Sequence, residues 1–137
     1  GLTDVQIHGE IDKSGHIAFD RNARKNPDFV FHIPSMMQGN AIVVEVKGKL
    51  EGTYQEGVYK DIVTLSKFTD NKHYYHSGVL IIYNYNYDEF LRKIGEFLMN
   101  RLQENKVLTD KIIIICKQSK GITSVIKKLN DLLEEVK

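Results

Sequence analysis

The spacing of apolar residues changes along the chain from a period of two to a period between three and four, and that change separates strands from helices. In residues 5–20, Val5, Ile7 and Ile11 alternate with Gln6, His8, Glu10 and Asp12; Lys13-Ser14-Gly15 supplies a turn, and Ile17 and Phe19 resume the alternation. This predicts a β-hairpin. A polar basic stretch follows, and residues 28–33, opening just after Pro27, predict a strand. Residues 34–40 are rich in turn formers, and 41–47 predict the next strand. Its start, Ala-Ile-Val-Val, is apolar on both faces, as in a strand buried mid-sheet. Val58, Tyr59, Ile62, Leu65 and Phe68 recur at helical spacing and predict a helix from about Tyr54 to Phe68. Residues 78–85 predict another buried strand. Asp88 has the character of an N-cap, with an apolar stripe of Phe90, Leu91, Ile94, Phe97, Leu98 and Leu102 behind it. Residues 111–117 predict a further buried strand. A last helix is expected to carry Val125, Ile126, Leu129, Leu132, Leu133 and Val136 on one face.

The predicted order is thus β-hairpin, β, β, α, β, α, β, α. Helices between strands imply partly parallel pairing, and the opening hairpins imply antiparallel pairs, so the class is α/β with a mixed sheet. The 137 residues suit one domain, 1–137, with one core. Gly1 in place of Met suggests a domain excised from a longer chain. Apolar content of 42% and charged content of 27% are ordinary for a globular chain and exclude disordered and fibrous classes. The first ten residues lack the regions of a signal peptide, and no apolar run approaches the roughly 20 residues that span a bilayer. No membrane partner and a cytoplasmic location are expected.

Charge enters where the pattern least invites it. Glu45 and Lys47 share one face of their strand and directly follow the doubly apolar run. Two charges there are costly unless they pair, bind a metal or reach a cleft. Asp28 opens the preceding strand, and a hairpin between the two brings it beside Glu45. Two carboxylates and an amine then meet in one place. Such a set suits phosphodiester hydrolysis: the carboxylates hold a hard cation, with the Val46 carbonyl as a further ligand, while the lysine orients the attacking water or offsets charge on phosphorus. The acid-x-Lys tripeptide alone says little, since Asp70-Asn71-Lys72, Glu104-Asn105-Lys106 and Glu135-Val136-Lys137 match it at helix ends or in loops. Only Glu45-Val46-Lys47 ends a buried strand one hairpin after a Pro-Asp.

Pro27-Asp28, sixteen intervening residues, then Glu45-Val46-Lys47 resembles the PD-(D/E)xK superfamily of restriction enzymes, junction resolvases and RecB-type exonuclease domains. Gln55 to Tyr59 is similar to the QxxxY element that follows the lysine motif in RecB-type members. The resemblance covers roughly residues 10–85. It implies a restriction endonuclease-like mixed sheet flanked by helices, a nuclease using Mg²⁺ or Mn²⁺, and nucleic acid, DNA favoured, as partner. It implies catalytic roles for Asp28, Glu45, Lys47 and Gln55, and a homodimer is compatible with how relatives pair subunits to cut both strands. Family members usually carry an earlier acidic residue on a helix before the strands; Glu10, read here on a strand, is the best placed substitute as a metal ligand. The alternative is a nucleic-acid-binding or assembly module that keeps the fold without catalysis.

The remaining chemistry is weaker. A net charge of +1 is low for a nucleic-acid binder, so affinity must come from local basic residues. Arg21, Arg24 and Lys25 before Asp28, and Lys49 after the strand, are candidates for phosphate contact, with Tyr59 beside them. Cys116, the only cysteine, excludes an internal disulfide and reads as a core thiol. His8, His16, His32, His73 and His76 lack metal-cluster spacing, although His32 shares the face of Asp28. Tyr83, Tyr85 and Tyr87 suit a sheet surface better than base stacking. No glycine-rich phosphate loop is present.

Overall fold

A computed structural model describes residues 6–9, 28–32, 40–48, 50, 52–70 and 75–137. The elements are β1 (Gln6–Gly9), β2 (Phe29–His32), β3 (Asn40–Lys47), α1 (Tyr54–Phe68), β4 (Ser77–Tyr83), α2 (Tyr87–Glu104), β5 (Ile112–Lys117), β6 (Val125–Lys128) and α3 (Leu129–Val136). The strands form one six-stranded sheet in the order β1-β2-β3-β4-β5-β6. Pairs β1/β2, β2/β3 and β5/β6 are antiparallel; β3/β4 and β4/β5 are parallel. The parallel joins are those with a helix between the strands, as a crossover requires. The expected α/β class with a mixed sheet and helices is therefore what forms.

Strand register lines up one face of the sheet. Val43, Glu45 and Lys47 of β3 lie beside Gly78, Leu80 and Ile82 of β4, which lie beside Ile112, Ile114 and Cys116 of β5. Helix α1 covers β3 and β4 on this face, α3 covers β5 and β6, and α2 packs against both helices. The core is where the stripes meet: Val58, Ile62, Leu65 and Phe68 from α1, Phe90, Ile94, Leu98 and Leu102 from α2, Leu129 and Leu132 from α3. Each such side chain, fully buried, contributes roughly 1.5–3 kcal/mol. On the other face, Ile81, Ile113 and Ile115 are half-buried, and Ile126 is exposed.

Three expectations shift. Residues 125–128 form the edge strand β6, not the start of the last helix: Val125 pairs with Cys116 and Ile126 with Ile115. β-Branched residues suit a strand, and pairing occupies the backbone edge of β5 that a helix would leave open. Helix α2 begins two residues early. Asn86 is its N-cap, its side-chain oxygen accepting from the Glu89 amide at 2.7 Å, and Asp88 lies in the first turn. Strand β4 stops at Tyr83 because Asn84 takes a left-handed backbone (φ 72°), which asparagine tolerates better than most residues. As for the opening hairpin, β1 pairs with β2, Gln6 opposite His32; its predicted return through Ile17 and Phe19 lies outside the described residues.

Candidate active site

The site is built where β2 begins, beside the part of β3 that runs past it. Phe29 opens β2 opposite Val44, so Asp28, one residue earlier, falls next to Glu45. Beyond that point none of the described strand residues pairs with β3 on this side. The Val46 amide donates instead to the Asp28 carboxylate, N to Oδ2, at 2.7 Å. A charge-assisted bond of this kind fixes the carboxylate against the strand. A strand residue's N–H and C=O point to the same edge, so the Val46 carbonyl also faces the Asp28 side.

Glu45 is 9% exposed, under α1. Burial pushes its carboxyl up to about 8 from an ordinary value of 4.5; the negative charges of Asp28 and Asp61 and a hydrogen bond with Asp28 raise it further, and Lys47 pulls it down. At neutral pH the Glu45 carboxyl is therefore held toward its protonated form. Lys47 lies on the same strand face but is not paired with Glu45. Its Nζ reaches α1 and sits 3.2 Å from Asp61 Oδ2.

The donors fit a hard divalent cation. Two neighbouring carboxyls and a backbone carbonyl on the same edge are oxygen donors of the kind such a cation takes. Among the described residues no three His, Cys, Asp or Glu side chains form a metal-holding group, so these donors make an open, partial set. Glu10, the expected additional ligand, lies outside the described residues, as do Arg21, Arg24, Lys25 and Lys49.

The QxxxY pair is not brought to this site. Gln55 and Tyr59 lie one turn apart on α1, on the side of the helix away from Gly57 and Asp61. Gln55 donates through Nε2 to the Lys93 carbonyl of α2 at 3.2 Å. Tyr59 lies beneath the Arg101 guanidinium, 4.5 Å from its ring centre, and Arg101 pairs with Glu56. Both residues join α1 to α2, a structural task. Their spacing matched the element, but helix rotation directs them to the neighbouring helix instead of to the strand end.

Asp61 was missed. Its signal was present: it falls three residues after Val58 and four before Leu65, inside the apolar stripe, where a solvated charge does not belong. The tyrosines divide in role. Tyr83 lies against the backbone of Gly48, where a Cβ would meet the end of its ring at 2.0 Å, so a larger residue there would displace the ring. Tyr85 lies under Lys93 at 5.3 Å, and Tyr87 is buried with its hydroxyl donating to Glu135. Burial pushes the Cys116 thiol up to about 11, in keeping with a core thiol. His76 contacts only its neighbour Ser77 among the bonds described, Nδ1 to Oγ at 2.9 Å. Among the described residues no helix is long and apolar enough to cross a membrane. No protein-family model, curated protein or solved structure matches the chain.

Proposed function

We propose that this domain is a metal-dependent nuclease of the PD-(D/E)xK type, on a restriction endonuclease-like fold, hydrolysing phosphodiester bonds in DNA. The observation that carries the reading is the buried Glu45 carboxyl beside Asp28, in a sheet row whose β4 and β5 positions are the buried apolar Leu80 and Ile114. A fold does not keep such a pair for stability, because burial and mutual repulsion both oppose it. Asp28 and Glu45, with the Val46 carbonyl, would hold Mg²⁺ or Mn²⁺. The cation would supply Lewis acidity toward the phosphate. Asp28 is held in place by the Val46 amide, so its position does not depend on the cation. Glu45 would serve that cation as the carboxylate, its proton released to solvent. Lys47, at the strand end, orients the attacking water or offsets the charge that grows on the phosphoryl oxygens as the P–O bond to the leaving oxygen breaks.

The test is direct. Plasmid DNA, single-stranded DNA and RNA are incubated with the protein and Mg²⁺ or Mn²⁺, with and without EDTA. Cleavage of DNA that EDTA abolishes supports the reading; cleavage of RNA alone changes the substrate. Binding of DNA without cleavage under any of these conditions assigns the domain to a non-catalytic nucleic-acid-binding or assembly role instead.

A further inference from the structure

The lysine of the site has a seat of its own. Lys47 Nζ lies 3.2 Å from Asp61 Oδ2, with the two side chains 28% and 22% exposed. One turn before Asp61, on the same face of α1, stands Gly57. A Cβ added there would come within 3.2 Å of Nζ and 3.9 Å of the lysine Cε. Gly57 is the fourth residue of α1, and a glycine within a helix raises the conformational cost of forming it. Here its missing side chain leaves the ammonium room against the helix. The helix thus offers Lys47 a gap and a countercharge one turn apart, while the acidic pair at Asp28 and Glu45 lies toward β2.

We propose that Gly57 and Asp61 form a socket on α1 that positions Lys47, with Asp61 acting through the lysine as a positioning residue and not as a metal ligand. The inference rests on the reading of Lys47 as a group acting at the reaction centre. The socket separates two tasks within one small site. Asp61 takes up the lysine's charge, which leaves the oxygens of Asp28 and Glu45 to the cation instead of tying them into an ion pair. It also fixes the long, flexible side chain, whose ammonium must be placed to within about an ångström to act on a phosphate or water.

The experiment uses the full chain and four variants: Asp61→Asn, Gly57→Ala, Lys47→Met, and Asp61→Asn combined with Lys47→Met. Asp61→Asn is expected to lower kcat by on the order of ten- to a hundredfold, with KM for DNA and Mn²⁺ affinity within about twofold of wild type. In the Lys47→Met background the same substitution is expected to cost nothing further, because its route is already cut. Gly57→Ala is expected to lower kcat while leaving Tm unchanged or higher, so a folding defect cannot account for the loss. Wild-type cleavage by Asp61→Asn, an equal loss in both backgrounds, or a large drop in Mn²⁺ affinity overturns the socket. Should the wild type cut no nucleic acid, the nuclease reading fails by itself, and the socket is judged by NMR. A Lys47 ammonium ¹⁵N signal protected from exchange in the wild type and lost in Asp61→Asn upholds it; a signal equal in both proteins overturns it.

Discussion

Two rows of side chains cross the sheet beneath the helices, Glu45-Leu80-Ile114 and Lys47-Ile82-Cys116. On β4 and β5 the four positions are apolar and buried, each 2% exposed or less. On β3 the equivalent positions carry a carboxyl and an ammonium. The backbone environment is shared: the same sheet, the same face, the same covering layer of helices. The two strands to the right hold the layers together, and β3 bears a penalty that packing does not require. The comparison distinguishes residues that make the fold from residues that the fold is made to hold.

The comparison breaks if the two ends of a row respond alike to substitution. Lys47→Met should lower DNA cleavage by a factor on the order of a hundred or more, while leaving the midpoint of urea unfolding within about 1 kcal/mol of wild type. Met keeps most of the volume, so packing cannot mimic the loss. In the same row Ile82→Ala should do the reverse, costing about 2–5 kcal/mol of stability with any residual folded protein still cutting. A stability loss on β3 as large as that on β4 would place Lys47 in the core.

Next in size is the pH response of the metal-free protein. The Glu45 carboxyl titrates at 4.5 when exposed and at about 8 when folded. The folded state binds this proton more tightly, so the stability it contributes is complete below about 4.5 and is lost as pH rises to about 8. Glu45→Gln should flatten stability across this window and be the more stable protein at its upper end, by on the order of a few kcal/mol. Denaturation curves that run parallel for the two proteins from acid to alkaline pH would contradict the burial of a proton at Glu45.

The same proton sharpens the metal assignment. At pH 7 entry of Mn²⁺ should expel close to one proton per site, measured as a dependence of calorimetric heat on buffer ionisation enthalpy. Asp28→Asn should weaken the binding and change the proton count. A count near zero in the wild type would mean that the cation enters without Glu45. The smallest expected effect belongs to Gln55→Ala. It should alter cleavage less than about twofold and cost about 1 kcal/mol or less of stability through its bond to the Lys93 carbonyl. A loss as large as that at Lys47 would restore Gln55 to the site.

How far the sequence could be read depended on which interactions were local. The apolar runs of β3, β4 and β5 and the stripes of α1 and α2 declare themselves by period, because each depends on neighbours within a turn or a strand. Asp28, Glu45 and Lys47 were legible for the same reason: alternation sets the face, and a hairpin sets the meeting point. Residues 125–128 were not legible, because Val125 and Ile126 extend the stripe of α3 in register and only the open edge of β5 turns them into a strand. Gln55 and Tyr59 were misplaced and Asp61 overlooked through one omission, the rotation of α1 about its axis. Period tells which residues share a side of a helix, but which side meets the strand end is decided by tertiary packing.

The strand order, in which every strand lies beside its neighbour in sequence, bears on how the molecule assembles. No strand has to be threaded between two already paired, but each parallel join waits on a helix-long crossover, a closure slower than that of a hairpin. Asp28, Glu45, Lys47, Gly57 and Asp61 all fall in the first half of the chain. During synthesis they leave the ribosome before β4, β5 and the two later helices exist to bury them. The groups on β3 and α1 are thus made before the strands and helices that complete the layer around them, and the burial of Glu45 is finished only once those later elements dock.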